Sequence, residues 1–594
     1  MVGAERDALG RLPEWDLGDL YPGRDSPELA ADLEALKTSA HAFQARYRGR
    51  LAGLDGAALG RAVAEYEALQ EVGGRISSYA ELTRAGNLAD PEIARFFQTA
   101  QEKINAAATE LLFFTLELNR LDDDSLKEKT ADPALGRYRP WLRDVRAMRP
   151  HQLSDDLEKL LLEKSVAGRN AWTRLFDETT AELRFPIGGK ELAEAEAMHL
   201  LSSPDGAARK EAALSIGAVL GKNARVFALV TNTLAKDKEI EDRWRAFPRP
   251  ISARNLSNYV EDDVVDALIA AVRASYPSLS HRYYRLKARW FGVEALPYWD
   301  RNAPLPDDDD RAIPWNEAER TVLSAYRAFS PELADIGARF FAARWIDAPA
   351  RAGKSPGAFA HPTVPGAHPY LLLNYQGRSR DVMTLAHELG HGCHQVLAAG
   401  QGLLMADTPL TLAETASVFG EMLTFRALLA GERDPARRRA MIAGKVEDML
   451  NTVVRQIAFV TFETRVHDER KEGELTADRL AEIWLDVQRE SLGPAIALDG
   501  DYRWYWSYIP HFIHSPFYVY AYAFGDCLVN SLYAVYEDAH EGFAARYLDL
   551  LRAGGSLRHR ELLAPFGLDA SDPAFWSKGL GVIARSIDEL EALG

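Results

Sequence analysis

The chain has 594 residues, of which 47% are hydrophobic and 26% charged, and this composition excludes a mostly disordered protein. Its 70 lysines and arginines face 87 aspartates and glutamates, which gives a net charge of −17. This excess of negative charge argues against nucleic acid or an anionic membrane as a partner, because their phosphates would repel it. Only two cysteines are present, there is no apolar run of about 18 residues, and the N-terminus lacks a signal-peptide pattern. We therefore expect a cytoplasmic protein without a disulfide framework or a membrane span.

The first third of the chain has the apolar spacing of amphipathic helices. The pattern covers the segments 27–48, 56–86, 91–121 and 153–182. The segment Ala181–Leu192 interrupts it with β-compatible residues around one proline and two glycines, which predicts a short hairpin. We take this hairpin as a boundary between an N-terminal helical region, 1–190, and a second region, 191–594.

Helical patterns return over 191–245 and 261–291. A loop rich in proline and aspartate follows, and its acidic run Asp307–Asp310 is typical of a solvated turn. The segment Tyr370–Tyr375 is the clearest strand of the sequence, and helical patterns resume at 381 and continue almost to the end. The predicted fold class is mainly α, with a small β element beside the motif described next.

The segment 381–400 contains the motif H-E-x-x-H, formed by His387, Glu388 and His391. Asp381 would cap the helix and Gly400 would end it. Residues four apart lie on one face of a helix, so both imidazoles can bind one Zn²⁺. Glu388 is rotated from His387 by about 100°, which suits a general base that takes a proton from water rather than a metal ligand.

A third protein ligand is needed if water is to occupy the fourth position of a catalytic zinc ion. His394 lies about 10.5 Å along the helix from His387, too far to share one ion with it, so we expect a packing or supporting role there. Glu414 follows His391 by 23 residues, enough for a loop and a returning helix. Two interpretations of Glu414 remain open from the residues alone, because it could also complete a capping box with Thr411.

A second glutamate, Glu421, follows Glu414 by seven residues. Seven residues return a helix to nearly the same face, two turns further on. Glu421 could therefore accept a hydrogen bond from a ligand histidine and fix its tautomer. The alternative is an ordinary surface glutamate.

The segments HELGH and AETASVFGE resemble the thimet oligopeptidase / oligoendopeptidase F family of zinc metallopeptidases. That family has H-E-x-G-H, then E-x-x-S with a further Glu four residues after the Ser. The segments PYLLLNYQG, WDLGDLYPG and IPHFIHSPFYVYAYAFG are similar to its oligoendopeptidase F branch. The matching positions are His387, Glu388, Gly390, His391, Glu414, Ser417 and Glu421.

The resemblance implies a zincin-type helical ellipsoid with a deep substrate channel, and a zinc-dependent endopeptidase that hydrolyses internal bonds of short unfolded peptides by metal-activated water. One Zn²⁺ per chain would be held by His387, His391 and Glu414, with Glu421 and Ser417 supporting these ligands. Glu388 would be the base. The strand would pair with the substrate backbone through Tyr370, Leu372 and Asn374.

The resemblance also implies a cluster of histidine and tyrosine that stabilises the oxyanion of the transition state. The candidates are His511, Tyr522 and then Tyr518, because Tyr518 and Tyr522 would share one helix face while Tyr520 would not. Two alternatives remain. One is a carboxypeptidase or dipeptidyl carboxypeptidase of the same zincin class, and the other is an inactive scaffold that binds peptides. The sequence gives no oligomeric state.

Overall fold

Helices dominate the computed structural model, which describes residues 9–305, 312–538 and 541–593, and the mainly α prediction is confirmed. The predicted helix over 56–86 has those bounds, whereas the one predicted over 153–182 is two helices, Asp155–Ser165 and Arg169–Glu182. The break between them includes Gly168, where the chain leaves helical geometry with φ −106° and ψ −115°. The predicted acidic turn Asp307–Asp310 lies outside the described residues.

The strands are short and form small sheets. They are β1 (Phe185–Ile187), β2 (Lys190–Leu192), β3 (Leu296–Pro297), β4 (Ile346–Pro349), β5 (Phe359–His361), β6 (Tyr370–Tyr375) and β7 (Ile496–Ala497). β1 and β2 are the predicted antiparallel hairpin, and β3 pairs with β7 in parallel. The remaining three form a sheet in the order β4-β6-β5, in which β6 is parallel to β4 and antiparallel to β5.

The chain divides into two units, each assembled from segments that are distant in sequence. Unit 1 comprises Met1–Arg149, Asp310–Gly431 and Ala539–Phe566. These units do not coincide with the predicted division at residue 190. The helices of unit 1 are Pro27–Tyr47, Gly56–Gly86, Pro91–Arg120, Asp123–Lys129, Pro133–Gly136, Arg139–Ala147, Trp315–Phe329, Pro331–Ala342, Ser379–Ala398, Leu403–Ala406, Leu410–Ala413, Thr415–Gly431, Phe543–Arg552 and His559–Leu563.

Unit 2 comprises Pro150–Asp309, Glu432–Asp538 and Gly567–Gly594. Its helix Gly206–Trp244 is long and apolar enough to cross a membrane, but half of its most apolar window is buried inside the protein, as in a core helix. The other helices of unit 2 are Asp155–Ser165, Arg169–Glu182, Glu194–His199, Ser252–Ser257, Asp262–Ser275, Ser280–Trp290, Pro435–Thr452, Val454–Glu472, Ala477–Leu492, His511–His514, Tyr520–Asp538 and Pro573–Leu593.

The helix Ser379–Ala398, here called the motif helix, lies in the core of unit 1. Its apolar face, which includes Leu385 and Leu389, is fully buried. The helix Thr415–Gly431, here called the return helix, packs against it so closely that a Cβ on Gly390 would lie 2.5 Å from the carbonyl oxygen of Ala416. On another side, Gly392 leaves room for the ring of Phe340. The motif helix is therefore fixed by helices of unit 1 on more than one side.

Candidate metal centre and active site

The motif helix begins at Ser379, two residues before the predicted cap. Asp381 lies inside the first turn, and its carboxylate accepts hydrogen bonds from the backbone N–H groups of Gln376 and Arg378, both at 2.9 Å. The predicted cap residue thus closes the helix start from within rather than from the preceding position. The helix ends at Ala398, next to the predicted stop at Gly400.

His387, His391 and Glu414 come together as predicted, with ligand atoms all within 4.8 Å of one another. Oε2 of Glu414 lies 3.4 Å from Nε2 of His387 and 3.5 Å from Nε2 of His391. Ligand atoms placed tetrahedrally at about 2.0–2.2 Å from a zinc ion are about 3.3–3.6 Å apart. The three side chains therefore fit a shared zinc ion, with the fourth position left to solvent or substrate.

The supporting residues hold these ligands from behind. Oε2 of Glu421 lies 3.3 Å from Nδ1 of His387, which leaves Nε2 of that ring facing Glu414. Ser417 donates its hydroxyl hydrogen to Oε2 of Glu414 at 2.7 Å. Burial opposes protonation of His387, but the hydrogen bond to Glu421 and the charge of Glu414 outweigh it, so the pKa of His387 is raised.

The alternative role of Glu414 in a capping box with Thr411 does not match the structure, because Thr411 lies inside a short helix rather than at its N-cap. The predicted helix is interrupted at this residue, because a short helix, Leu410–Ala413, ends just before it and the return helix begins just after it. The short helix starts after Pro409 without a side-chain cap. His394 is outside the cluster, as expected, since its Nε2 faces Thr408 Oγ1 at 3.3 Å and the ring is buried.

Glu388 is 7% exposed and lies on the motif helix between the two histidines. Burial raises the pKa of its carboxyl to about 7, while the charge of His387 and the nearby backbone N–H of Ala360 oppose the rise. A carboxyl group that exchanges a proton near neutral pH has the property a general base needs.

The prediction that β6 pairs with substrate is wrong for Tyr370 and Leu372. β6 is the central strand of its sheet, so β4 occupies one edge and β5 the other along Tyr370–Leu372. Tyr370 and Leu372 are fully buried, and the Tyr370 hydroxyl donates to the carbonyl of Asp16. The amide of Asn374 donates to the carbonyls of Ser355 and Gly357, at 3.0 and 2.8 Å.

Of the two edge strands, β5 is the one beside Glu388, and the sequence did not predict it. Ala360 pairs with Leu371 of β6, yet its N–H acts on the carboxylate of Glu388, whose pKa it lowers. In an antiparallel pair a residue directs both backbone groups to its partner or both away from it. Ala360 therefore presents its N–H and C=O to the outer edge of β5, where no strand pairs within the described residues. A strand of three residues is too short to give a periodic signal in sequence.

The predicted histidine and tyrosine cluster forms within unit 2. The ring centroid of His511 lies 6.0 Å from the ring centroids of both Tyr518 and Tyr522. The Tyr522 hydroxyl oxygen is 3.4 Å from Nε2 of His511. Tyr520 is fully buried, and its hydroxyl accepts a hydrogen bond from the side-chain amide of Asn258. Tyr518 precedes the helix that begins at Tyr520, so a turn, rather than a shared helix face, brings it beside Tyr522.

Two protein-family models match the chain. The model described as Peptidase family M3 matches residues 199–582, and the model described as Oligopeptidase F matches residues 117–185. The chain is 25% identical to oligopeptidase PepF of Bacillus subtilis over 99% of its length and 90% of the relative's. It is 26% identical to the group B oligopeptidase PepB of Streptococcus agalactiae, over 85% of each chain.

Solved structures share the fold. A structure from Chlamydophila abortus matches with a TM-score of 0.87 at 23% identity and 99% coverage of both chains. The oligoendopeptidase-F of Enterococcus faecium matches with a TM-score of 0.70 at 23% identity, over 95% of this chain and 97% of that one. Since the model of Peptidase family M3 matches more than half of the chain, the protein is a peptidase and belongs to peptidase family M3.

Proposed function

We propose that this peptidase is a zinc-dependent endopeptidase that hydrolyses internal bonds of short, unfolded peptides. The observation that carries the proposal is the spacing of 3.4 and 3.5 Å between Glu414 and the two histidines. These separations are long for hydrogen bonds and fit ligands of one tetrahedral ion. A zinc ion there supplies a Lewis acid that polarises the scissile carbonyl and lowers the pKa of water.

The residues of the chain have separate tasks in this proposal. The carboxylate of Glu388 holds the attacking water, takes its proton and passes it to the leaving amine. Glu421 fixes the tautomer of His387, and Ser417 fixes the orientation of the Glu414 carboxylate. His511 and Tyr522, with Tyr518 beside them, stabilise the oxyanion, an assignment that rests on the family resemblance.

The outer edge of β5 is the proposed docking strand for the peptide backbone, in place of β6. Ala360 directs both backbone groups outward, and its N–H lies at the carboxylate of Glu388. An extended peptide that adds to this edge would bring one of its peptide bonds to the base. Backbone pairing selects an unfolded segment without reading its side chains.

The protein is proposed to act in the cytoplasm on free peptides. Both cysteines are buried as free thiols, which is consistent with a reducing compartment. The acidic net charge gives no support for nucleic acid or an anionic membrane as a partner.

Cleavage of an internally quenched peptide of about eight residues, blocked at both ends, tests this function. We expect internal cleavage by the unaltered protein and a loss of roughly 10²–10⁴-fold in kcat for Glu388→Gln, the range that general bases contribute. Both proteins should contain one zinc ion per chain. Cleavage only of unblocked peptides, at one end, would favour a carboxypeptidase, and binding without cleavage by either zinc-loaded protein would favour a peptide-binding scaffold.

A further inference from the structure

A cavity of about 230 Å³ lies wholly within unit 2 and carries two arginines in an otherwise largely aromatic wall. The arginines are Arg301 and Arg455, both partly buried. No aspartate or glutamate lines the cavity among the described residues. In a protein with a net charge of −17, two cations on the wall of one cavity without a facing carboxylate call for an anionic occupant. The lining is Met198, Leu201, Ser202, Tyr298, Trp299, Arg301, Asn302, Arg455, Phe459, Trp484, Tyr502, Tyr505 and Tyr508.

Neither arginine has an ion-pair partner within the part of the chain that the structure describes. Arg455 donates to the hydroxyl of Tyr508 at 3.2 Å and stacks over the ring of Phe459 at 4.9 Å. These neutral contacts orient the guanidinium without neutralising it. The carboxylate of Glu447 is close enough to act on Arg301, but Lys287 already binds it at 2.5 Å. Both guanidinium groups therefore keep charge available for a ligand.

The rings of the aromatic wall pack against one another. The rings of Tyr298 and Tyr502 lie 4.9 Å apart, those of Tyr502 and Tyr505 4.8 Å, and that of Trp484 6.1 Å from Tyr502. The Tyr502 and Tyr505 hydroxyls donate to groups outside the lining. The cavity is smaller than the roughly 300–1,000 Å³ of sites for drug-sized ligands, so it has room for about one amino-acid residue. Its walls suit an apolar or aromatic group joined to a carboxylate.

The cavity adjoins the proposed oxyanion donors. The ring of Phe459 in the cavity wall lies 5.4 Å from that of Phe512, the residue after His511, and Tyr508 of the wall precedes His511 by three residues. The charge of Arg455 also adds to burial in lowering the pKa of His511. A residue bound in the cavity would thus belong to a peptide held at His511. This step rests on the proposed function.

We propose that this cavity is a subsite for a carboxylate-bearing residue of the peptide substrate, with Arg301 and Arg455 as its anion-binding groups. The carboxylate comes either from the peptide C-terminus or from an acidic side chain. Both sources offer the same planar group to the two guanidinium forks. The subsite therefore selects for charge at one position of a peptide whose backbone is read without regard to sequence.

Binding to the Glu388→Gln protein tests the subsite without requiring cleavage. The probes are N-acetyl-phenylalanine and its uncharged amide, compared by calorimetry. We expect the acid to bind at least tenfold more tightly than the amide, because charge-assisted hydrogen bonds would be lost with the amide. Arg301→Met and Arg455→Met should each remove most of this difference. Arg465→Met is the matched control, since Arg465 lies on the same helix as Arg455 but pairs with Asp486.

Equal binding of acid and amide would overturn the proposal, as would acid binding that survives both methionine substitutions, which would mean that the acid binds at the metal. If a methionine variant unfolds, Arg455→Lys decides, since it keeps the charge and should keep part of the preference. Blocked quenched peptides with Glu or Gln, and peptides with a free or amidated C-terminus, then identify the source through KM. Loss of all cleavage would reject the proposed function, yet leave this binding result intact.

Discussion

The position of Glu421 shows how a residue outside the proposed ligand set can orient one of its members. Its carboxylate meets Nδ1 of His387 at 3.3 Å, so the other ring nitrogen is presented to the metal position. The sequence predicted this contact from a spacing of seven residues alone. It could not decide between Glu414 as ligand and as cap, because that choice depends on where the helix breaks.

Replacing Glu421 should weaken zinc binding. Partners of this kind contribute about 10–100-fold to metal affinity, because they fix the ring and its tautomer. We therefore expect Glu421→Ala to raise the zinc dissociation constant by that range in a competition with a fluorescent chelator. Glu421→Gln keeps an acceptor oxygen and should lose less zinc affinity than Glu421→Ala. Equal zinc affinity in both variants and the unaltered protein would show that Glu421 does not position His387.

A second buried glutamate, Glu463 in unit 2, should make stability depend on pH. It is 2% exposed, accepts from the backbone N–H of Phe517 at 2.8 Å, and burial raises its pKa to about 8 against the lowering effects of that bond, Arg254 and Lys238. Between its ordinary value of 4.5 and about 8, the unfolded chain has released this proton and the folded chain has kept it. Folding stability should therefore fall as pH rises through this window.

Glu463→Gln should flatten that dependence, because the amide retains an acceptor for Phe517 but cannot ionise. The measurement is Tm at intervals from pH 5 to pH 8. The Tm of the variant should fall less over this range than the Tm of the unaltered protein. His467, whose ring lies 4.9 Å from that of Phe517, is present in both proteins. Glu472→Gln, an exposed change at the end of the same helix, is the control. Parallel curves for Glu463→Gln and the unaltered protein would refute the assignment.

At the scale of elements, local sequence patterns predicted where helices and strands lie. They did not predict which strands pair with one another. The bounds of β6 were predicted correctly, since a short, mostly apolar run between Pro369 and Gly377 is typical of a buried strand. Its place in the centre of a sheet depends on β4 and β5, and pairing between distant segments leaves no spacing in the sequence. The sequence therefore predicts docking at the longer strand β6 and gives no sign of the three-residue strand β5 beside it.

The approach of the motif helix and the return helix requires glycine at position 390. A Cβ there would lie 2.5 Å from the carbonyl oxygen of Ala416 and 2.7 Å from the Cα of Ser417. Helix propensity alone favours alanine over glycine by about 0.5–1 kcal/mol. Overpacking costs about 1–3 kcal/mol, so the steric effect should outweigh it. We expect Gly390→Ala to lower the free energy of unfolding.

The same substitution should weaken zinc binding, because the return helix begins next to Glu414. Urea unfolding and zinc competition measure the two effects. Gly400→Ala is the matched control, since a Cβ on Gly400 would meet nothing within 4 Å. A stabilised Gly390→Ala variant with unchanged zinc affinity would mean that the helices can separate at no cost.

At the scale of the whole molecule, unit 1 draws on three separate stretches of chain, and composition gave no sign of this. The family descriptions divide the sequence between 185 and 199, near the predicted boundary, whereas the compact units do not. The N-terminal stretch is held to the stretch 310–431 by backbone hydrogen bonds. These include Asp16 N–H to the carbonyl of Arg344, Ala348 N–H to that of Pro13, and Ser355 N–H to that of Ala85.

A fragment of residues 1–190 should therefore not fold by itself. It would keep the helix-forming segments but lose the partners that bury them, such as Val364 against Gly74 and Tyr370 against Asp16. Helical stability in proteins comes mostly from such packing. We expect far-ultraviolet circular dichroism typical of helices, a broad urea transition and rapid amide exchange, compared with a sharp transition in the full chain. A sharp transition with protected amides in the fragment would show that the N-terminal region is an independent domain, and that the hairpin at 185–192 separates folding units as well as sequence families.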